Sequence, residues 1–528
     1  MFKNNRKIPQ VIVLLFLCTA AFCQRSNSNK YPSLFWEITG NGLNKPSYLF
    51  GTMHVSNKMV FHLSDSFYYA MKSVDAVALE LNPDLWQGQM VILDNVKQHY
   101  TDYTKPAGDD WLTENSFRIN NYDDELKAAL STEPTVVNNL LYRTYKAKED
   151  FEENTFLDLY IFQTGKKLGK RSAGVEDFYE TEKIVLQAYA DMANEKKKKV
   201  IDTDGESMGD ITKKMQEAYR RGDLDLMDSL DIMTERSAAF REKFLYLRNE
   251  VQANSIDTIL KKSSLFVGVG AAHLPGTRGV IELLRQKGYK LRPIKMTDRD
   301  AEKKEETDKL KVPVEFATRQ ADDGFYNIDV PGPLFKMTDD YKGLDRRQYA
   351  DMSNGSYYLV TRIKTHAAFI RQTEEQVMKK VDSLLYENIP GKMLKKSVLE
   401  KNGYKGFDIT NKTRTGDLQR CNIFITPFEV LFFKMSGKEN YVEGPEANQF
   451  FSSLRLKEID NIAHNFSPGQ GGFSIKLPHY PKESINLSSN DGIDRWEYQA
   501  NDKVSGDAYL IMKKTVYNFK FLLLTAIT

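Results

Sequence analysis

Cysteine is nearly absent from this 528-residue sequence, and the shortage limits which metal and redox chemistry the chain can support. Cys18 and Cys23 lie in an apolar N-terminal segment, so Cys421 is the one cysteine left in the rest of the chain. A single cysteine cannot form an intramolecular disulfide or build a cysteine-based zinc site. Any metal ion must therefore be bound by histidine and carboxylate side chains. Cys421, in the apolar "LQRCNIFIT", is expected to be a buried strand residue.

An excess of charge of either sign is also lacking, since the formal net charge is only +2. There is no basic excess of the kind that nucleic-acid binding requires and no acidic tail. The lysine run at 196–199 has acidic neighbours in a helical pattern and is interpreted as a solvated helix face. Long apolar runs are missing after the N-terminal segment, which predicts no later membrane span. The length favours two to four domains.

The N-terminus has the pattern of a secretory signal peptide over residues 1–23. Three basic residues precede the short apolar stretch "VIVLLFLCTAAFC" (11–23), and the polar "QRSNSNK" follows it. Export to the periplasm or the extracellular space is therefore predicted. Phe22 directly before Cys23 is a poor match to a lipoprotein signal, so lipid anchoring is disfavoured.

Alternating strand and helix patterns predict an α/β domain over residues 31–298. "SLFWEITG" and "SYLFGTMH" are predicted strands, "DSFYYAMKSV" a helix and "AVALELN" a buried strand, which together form a βαβ unit and favour a parallel sheet. Mostly helical patterns follow from 110 to 262, with a short strand in "KRSAGVEDF". The strands "SLFVGVGAAH" and "KLRPIKM" then flank the helix "TRGVIELLRQKGY". A central, largely parallel sheet surrounded by many helices is expected.

A charged linker is predicted over 299–318, and the rest of the chain contains an internal repeat. "DDGFYNIDVPGPLFKM" (322–337) resembles "QGGFSIKLPHYPKESI" (470–485), and a second pair of stretches also matches, with the offset over both staying between 147 and 151 residues. We expect α+β modules over 319–460 and 468–528. The second module lacks counterparts of a helix and three strands, so it is expected to be incomplete in this chain.

Two Gly-x-x-His motifs, each at the end of an apolar run, are the main candidates for chemistry. They join Gly51 to His54 and Gly270 to His273, and chance placement of 31 glycines and 7 histidines predicts fewer than one such pair. Glu80 ends a third apolar run, where a carboxylate is costly unless it is paired or ligated. Because ligands collect at the C-terminal edge of parallel sheets, we expect the three side chains to converge there. The strands that end near His54 and Glu80 are expected to be neighbours, and His273 ends a third strand.

Two imidazoles and a carboxylate suit a divalent metal ion, and without metal they could provide a general base and an electrostatic clamp. The alternative for His54 and His273 is a structural role for each. Glu176 and Arg248 are further candidates, with a surface ion pair as the alternative for Arg248. The remaining histidines, His62, His99, His366, His464 and His479, are expected to be bystanders.

The same stretches resemble the TraB/GumN family, which includes the Tiki-type metalloproteases. "YLFGTMH", "AVALELN", "GKRSAGVED", "RRGDLD", "LRNEV" and "FVGVGAAHLPGTRGVIELLRQKGY" appear in the family's order over residues 31–296. This family is similar to erythromycin-esterase-like and ChaN-like α/β proteins. Val175 and Asp177 depart from its usual leucine and threonine beside the second glutamate. The resemblance does not extend to 319–528.

The resemblance implies an active centre formed by His54, Glu80 and His273, with Glu176 and Arg248 in support. It implies a divalent ion of the manganese or cobalt type, with zinc as the alternative, and hydrolysis of a peptide or protein substrate. Two rivals stay open: a non-catalytic envelope scaffold that binds a protein partner through the repeat modules, and a small-molecule esterase.

Overall fold

A computed structural model gives the fold. The residues that it describes are 29–53, 63–102, 122–131, 156–195, 207–235, 237–296, 301–337, 344–365, 367, 371–413, 416–437, 441–457, 463–469, 471–478, 481–484, 495–501 and 508–514. The predicted signal peptide lies outside these ranges. The chain divides into two compact units, one formed by Met1–Asp84 and Lys148–Val312 and the other by Leu85–Ala147 and Pro313–Thr528. Each unit is described by itself.

The first unit contains a mixed six-stranded sheet with a parallel centre. Its strands are β1 (Phe35–Gly40), β2 (Ser47–Thr52), β3 (Ala76–Leu79), β4 (Arg171–Gly174), β5 (Leu265–Gly270) and β6 (Tyr289–Ile294). The order across the sheet is β4-β3-β5-β2-β1-β6. Strands β4, β3, β5 and β2 are parallel to one another, whereas β1 is antiparallel to both β2 and β6. The α/β prediction for this part of the chain is therefore confirmed in its general form.

The expectation that β2 and β3 are neighbours is wrong. Strand β5 lies between them, with Thr52 opposite Gly270 on one side and Ala78 opposite Val267 on the other. A βαβ pattern fixes the parallel direction of two strands but not their adjacency, because a third strand from far along the chain can insert between them. As a result, the C-terminal end of β5 lies between the ends of β2 and β3, at the sheet edge where the candidate residues were expected.

Helices occupy most of the chain between these strands. They are α1 (Asp65–Ser73), α4 (Leu157–Lys167), α5 (Phe178–Asn194), α6 (Met208–Arg221), α7 (Leu224–Thr234), α8 (Ala238–Arg241), α9 (Arg248–Leu260) and α10 (Val280–Gln286), with α2 and α3 belonging to the other unit. Their ends carry the expected signals. Ser207 caps α6 by accepting a hydrogen bond from Asp210 N–H, and Gly222, with φ of +72°, ends that helix in the left-handed conformation.

The charged segment predicted as a linker contains helix α11 (Ala301–Asp308). It is fixed to the first unit by ion pairs from Lys167 to Asp308 (3.3 Å) and from Lys72 to Glu306 (3.6 Å). The end of the first unit at Val312 falls inside the predicted linker range. The domain boundaries that the sequence predicts stay a prediction. In the division into two compact units, residues 85–147 belong to the same unit as the C-terminal part of the chain.

Four phenylalanines fill the core beside the parallel strands. Phe35, Phe50, Phe67 and Phe266 are at most 1% exposed, and their ring centroids lie 5.2 to 6.2 Å apart. Tilted and edge-on aromatic contacts of this kind add to the free energy of burial. The strands that carry the candidate site are thus fixed by a rigid core.

The second unit is built on a seven-stranded antiparallel sheet with order β12-β13-β14-β15-β11-β10-β9. Its strands are β9 (Phe335–Met337), β10 (Leu344–Asp351), β11 (Ser356–Lys364), β12 (Lys392–Lys401), β13 (Tyr404–Lys412), β14 (Leu418–Ile425) and β15 (Glu429–Gly437). Its helices are α2 (Pro83–Asp102), α3 (Asp123–Ser131), α12 (Glu374–Asn388) and α13 (Pro445–Ser453). Strands β7 (Ala317–Gln320), β8 (Tyr326–Val330) and β16 (Arg455–Leu456) form a small separate sheet.

Both faces of the large sheet are covered, as the alternation along β15 shows. Leu431, Phe433 and Met435 belong to a core with β8 and α13, while Val430 and Phe432 pack in a second core with α3 and α12. Successive side chains of a strand point to opposite faces, so one strand serves both cores. Cys421 in β14 is 4% exposed, which confirms it as a buried strand residue.

Among its described residues, the proposed second copy of the repeat contains short strands and no helix. These are β18 (Ile475–Leu477), β19 (Lys482–Ser484), β20 (Arg495–Asn501) and β21 (Ala508–Lys514), while β17 (His464–Phe466) lies just before the predicted copy and pairs with β18. Strands β19, β20 and β21 are antiparallel neighbours in that order, as β9, β10 and β11 are in the first copy. The repeat itself stays a prediction. In the part of the chain that the structure covers, no helix is long and apolar enough to cross a membrane.

Candidate functional site

Two of the three predicted active-centre residues meet at the C-terminal edge of the parallel strands. Glu80 directly follows β3, and His273 ends a single 3-10 turn, Ala271–His273, that follows β5. Since β3 and β5 are hydrogen-bonded neighbours, their ends are adjacent, and His273 Nε2 lies 3.7 Å from Glu80 Oε1. The His273 residue is 5% exposed. His54, the third predicted member, lies outside the described residues.

Both oxygens of Glu80 are held by fixed donors. Oε1 accepts a hydrogen bond of 2.7 Å from the backbone N–H of Gly270, and Oε2 accepts one of 2.7 Å from Arg248. A carboxylate that accepts hydrogen bonds from a charged donor and from a backbone N–H is fixed in its orientation. Glu80 therefore presents Oε1 toward His273 in a defined geometry.

Arg248 joins Glu80 to the second predicted glutamate. Its Nε lies 3.1 Å from both carboxylate oxygens of Glu176, whose side chain is 1% exposed. Gln252 and Thr181 also donate to that carboxylate, at 2.6 and 2.9 Å. The surface-pair alternative for Arg248 is thus wrong, because this ion pair is buried at the base of the site.

Burial and charge act in opposite directions on this pair. Burial is the main cause that raises the pKa of Glu176, with the nearby Glu80 charge acting the same way and Arg248 opposing both. Burial alone would lower the pKa of Arg248, but the two carboxylates outweigh it and leave that pKa raised. The guanidinium therefore stays charged and neutralises part of a site that carries two acidic groups.

The two departures from the family pattern beside Glu176 have structural explanations. Asp177 caps α5 by accepting hydrogen bonds from the N–H groups of Tyr179 and Glu180, a role that a threonine can also perform. Val175 is fully buried, as a leucine would be. Glu176 lies two residues after the end of β4, and its backbone N–H donates a hydrogen bond of 2.8 Å to the carbonyl oxygen of Glu80. Both changes keep the local structure.

Asn249 fixes the orientation of His273, and the sequence analysis did not select it. Its Oδ1 lies 2.6 Å from His273 Nδ1, while its Nδ2 donates to the carbonyl of Arg278 at 2.8 Å. Because the amide nitrogen is used by that carbonyl, His273 Nδ1 is the donor, and Nε2 is the nitrogen that faces Glu80. The sequence feature that could have indicated Asn249 is the group of polar residues near the start of α9, Arg248, Asn249 and Gln252. All three are buried.

Both motif glycines lie where a side chain would collide with the site or its support. A Cβ on Gly270 would come within 3.2 Å of Glu80 Oε1 and 3.3 Å of His273 Cδ2. A Cβ on Gly51 would lie 3.2 Å from Ala271 and from Leu274. The glycines therefore permit the close approach of β2, β5 and the 3-10 turn.

A second buried carboxylate lies at the end of β2. Asp158, near the start of α4 and 6% exposed, accepts a 2.6 Å hydrogen bond from Thr52, and Tyr219 donates to Gly51 O at 2.9 Å. Burial and then the Asp158 charge raise the pKa of Tyr219, which stays neutral. Sequence reasoning missed both residues, since each lies in an ordinary helical pattern far from the motifs.

The donor set at this edge suits a divalent ion in part. Two ligands bound to one ion at about 2.1 Å and at a tetrahedral angle lie about 3.4 Å apart, close to the 3.7 Å between His273 Nε2 and Glu80 Oε1. Within the described ranges, no group of three or more histidine, cysteine or acidic side chains is placed to hold a metal ion. The third ligand that the sequence predicts, His54, falls outside those ranges.

The prediction that the other histidines are bystanders stays a prediction. His464 lies in β17, which pairs with β18. His99 lies in α2, within the second unit. His62, His366 and His479 are outside the described residues.

Comparison with known proteins gives matches over the part of the chain that contains these residues. The sequence model of the TraB/PrgY/gumN family matches residues 34–293. Metalloprotease TIKI2 of Danio rerio is 23% identical over 324 residues, covering 51% of this chain and 62% of that protein. Metalloprotease TIKI2 of Xenopus tropicalis is 24% identical over 316 residues, covering 49% of this chain and 59% of that protein. The match thus spans about three fifths of the length of these relatives.

A solved structure also overlaps with part of the chain. The solution structure of cyanobacterial PsbP (CyanoP) from Synechocystis sp. PCC 6803 is 11% identical and covers 28% of this chain and 94% of its own, with a TM-score of 0.20. A likeness at that TM-score supports no conclusion about fold or function.

Proposed function

Because residues 34–293 of this chain belong to the TraB/PrgY/gumN family, we propose that the protein is a metal-dependent hydrolase and, more narrowly, a peptidase. The two TIKI2 relatives bear the name metalloprotease, which supports the narrower form. Fold alone does not establish activity, so the proposal depends on the site.

The observation that carries the proposal is the pairing of His273 Nε2 with Glu80 Oε1 at 3.7 Å in a buried position. Asn249 directs Nε2 toward Glu80, and Arg248 with Gly270 N–H directs Oε1 toward His273. A nitrogen and an oxygen ligand aimed at one point are what a hydrolytic metal centre with open positions requires.

The protein's own groups account for most of the proposed chemistry. Glu80 is either a ligand of the metal ion or the general base that accepts a proton from an attacking water, and the hydrogen bond from Arg248 holds its carboxylate in place. Arg248 keeps its charge throughout and limits the negative charge that accumulates as a carbonyl is attacked. Glu176 fixes the guanidinium in place and does not touch the substrate. Gly270 leaves the space that a substrate carbonyl needs.

A divalent ion held by His273 and Glu80, with His54 as the third predicted ligand, would supply a water of lowered pKa and polarise the scissile carbonyl. Manganese or cobalt is the proposed type, with zinc as the alternative. All three accept mixed nitrogen and oxygen ligands.

The proposal includes export and a peptide or protein substrate. Residues 1–23 act as a signal peptide and place the protein in the periplasm or outside the cell. The parallel strands β4, β3, β5 and β2 beside the antiparallel β1 support an erythromycin-esterase/ChaN-like arrangement. The rear modules bind an envelope protein partner in this proposal.

Metal content and turnover, measured together, test the proposal. Wild type, His273→Ala and Glu80→Gln are purified with Mn²⁺, Co²⁺ or Zn²⁺, and the bound metal is determined by mass spectrometry. Hydrolysis of a quenched fluorescent peptide library is followed with and without chelator. His464→Ala is the matched control, because it changes a histidine of β17.

We expect about one ion per chain in wild type and in the control, and loss of both metal and turnover in the two site variants. Wild type free of metal in all three solutions, or turnover that persists in both site variants, contradicts the enzyme. A wild type that binds no metal and hydrolyses nothing favours the scaffold alternative. Turnover of small esters but not of peptides favours the esterase.

A further inference from the structure

Three aromatic side chains form a continuous row beside the candidate site. Phe240 and Phe244 stack with ring centroids 4.7 Å apart and planes inclined by 19°, and the Tyr189 ring lies 5.2 Å from Phe240. Tyr189 is 52% exposed, and the two phenylalanines are half-buried. We call these three residues the aromatic row. Single exposed apolar side chains are common on proteins, but a contiguous exposed apolar patch marks an interaction or ligand site, so a partly open row is informative.

The aromatic row ends at the charged base of the site. The guanidinium carbon of Arg248 lies 5.3 Å from the Phe244 ring centroid, and the same guanidinium donates to Glu80 at 2.7 Å. The width of one guanidinium therefore separates the row from the Glu80 carboxylate. Since an extended peptide advances about 3.3 to 3.6 Å per residue, this separation corresponds to two or three residues of a bound chain.

The backbone under the row has an unusual conformation that helps to produce this alignment. Glu242–Leu247 is a π-helical turn between α8 and α9, and it contains Phe244. On a regular α-helix, side chains four residues apart point in directions that differ by about 40° around the helix axis. A π turn is wider, so it changes this angle. The ion pair between Lys243 and Asp191 (2.7 Å) fixes the π turn against α5, which carries Tyr189. π-helical turns are frequent at functional sites.

We propose that the aromatic row is a specificity subsite that binds one aromatic or large aliphatic side chain of a peptide substrate, two or three residues from the scissile bond. The inference rests on the proposed function, and it adds the class of substrate. Stacked rings favour a flat apolar side chain, and they provide no charged group of their own for a polar one. The row is continuous with the Glu80–His273 pair through Arg248, which argues for substrate rather than a separate partner.

Peptide selectivity tests the inference. Two series of otherwise identical octapeptides carry phenylalanine or serine at each position in turn, and kcat and KM are measured for wild type, Phe244→Ala and Tyr189→Ala. Leu186→Ala is the matched control, since Leu186 is 65% exposed on the same helix as Tyr189 and outside the ring contacts. Near-UV circular dichroism and thermal melting confirm that each variant is folded.

We expect wild type to prefer phenylalanine at one position by about tenfold or more in kcat/KM, chiefly through KM. Phe244→Ala should reduce that preference below about twofold, and Leu186→Ala should keep it. A preference that survives in Phe244→Ala and Tyr189→Ala, or a wild type without any preference, overturns the subsite while the hydrolase proposal stands. A shift in oligomeric state with unchanged selectivity also overturns it.

A binding measurement separates the subsite from catalysis. The fluorescein-labelled phenylalanine and serine peptides are titrated into His273→Ala and into the double variant His273→Ala, Phe244→Ala, with fluorescence anisotropy as the readout. Preferential binding of the phenylalanine peptide that is lost in the double variant supports the subsite even when wild type hydrolyses nothing. Equal binding of both peptides to His273→Ala overturns it.

Discussion

Replacing Arg248 with methionine removes the cation that the buried Glu176 and the partly buried Glu80 share. Arg248 contacts Glu80 at 2.7 Å and Glu176 at 3.1 Å, and its side chain is 9% exposed. Methionine has a similar length and fills the apolar part of the space. The change therefore isolates the lost charge from lost volume.

The structure sets the expected size of the effect. At 3.1 Å and an effective dielectric of about 20, one pair of opposite charges interacts by about 5 kcal/mol, against which the desolvation of both charges must be set. Removing one partner of a buried ion pair costs about 3–5 kcal/mol because the other charge remains uncompensated. Glu176 meets this condition most fully, since its side chain is 1% exposed. We expect the free energy of unfolding of the first unit to fall by about 3–5 kcal/mol at pH 7.

The pH dependence of the loss provides an internal check. A carboxyl whose pKa is raised in the folded state binds a proton on folding, so stability falls as pH rises from the ordinary carboxyl pKa through the raised one. Burial already raises the pKa of Glu176 in the wild type, and replacing Arg248 removes the largest of the causes that lower it, leaving the hydrogen bond from Gln252. The deficit of Arg248→Met should thus be smallest near pH 4 and fully developed at pH 7.

Native-state hydrogen exchange over peptides of β3 and β5 measures the opening free energy of this unit within the full chain. Urea is the denaturant for parallel unfolding curves, because a salt would screen the charges. The control is Arg241→Met, another buried arginine, whose partners Asp228 and Asp231 are 27% and 43% exposed. Its loss should be smaller, about 1–3 kcal/mol, and should leave metal binding intact.

Two results would refute this reasoning. One is a stability loss for Arg248→Met below about 1 kcal/mol at pH 7, which would mean that water or rearrangement compensates both carboxylates. The other is a deficit that stays constant from pH 4 to pH 7, which would mean that neither carboxyl takes up a proton.

Three further predictions follow from single contacts. Asn249→Leu should weaken metal binding about 10–100-fold, because His273 loses the acceptor that orients its ring; calorimetric titration with Mn²⁺ measures this, and affinity equal to wild type contradicts it. Gly270→Ala should weaken metal binding, since the new methyl group would press on Glu80 and His273. The melting temperature should change little, because φ at this position is −53°, which alanine adopts readily. A large loss of melting temperature with normal metal affinity would contradict this prediction. Cys421, whose pKa burial raises to about 12, should not react with Ellman's reagent at pH 8 in the folded protein after signal removal, and should give one thiol in urea; rapid reaction of the folded protein would disprove its burial.

The local patterns of the sequence were sufficient to identify the elements that carry the site. "AVALELN" and "SLFVGVGAAH" are apolar runs bounded by polar or glycine residues, and they form β3 and β5. The helix "TEEQVMKKVDSLLYENI" begins at the capping box of Thr373 and Gln376 and forms α12. In such segments, periodicity and capping act over a few residues and are visible without tertiary structure.

The contacts around Glu80 could not be read in the same way. The sequence supplied Glu80, Glu176 and Arg248 as candidates, but it gave no distance between them, and it left Arg248 open to a surface role. Asn249 was part of the quoted "LRNEV" and still passed unnoticed, because a polar residue on a helix is ordinary until its burial is known. Burial depends on which elements pack together, and no local pattern records it.

By itself, the sequence determined the elements, the parallel direction of the central strands and the restriction of any metal site to histidine and carboxylate ligands. These depend on side-chain type, on spacing along the chain and on the number of cysteines. Only the tertiary structure decided that β5 inserts between β2 and β3, that Arg248 is buried between two carboxylates, and that Asn249 turns His273 toward Glu80. The reason is physical: strand order and the desolvation of charges are set by contacts between segments up to about two hundred residues apart, whose free energies exist only once the chain has folded.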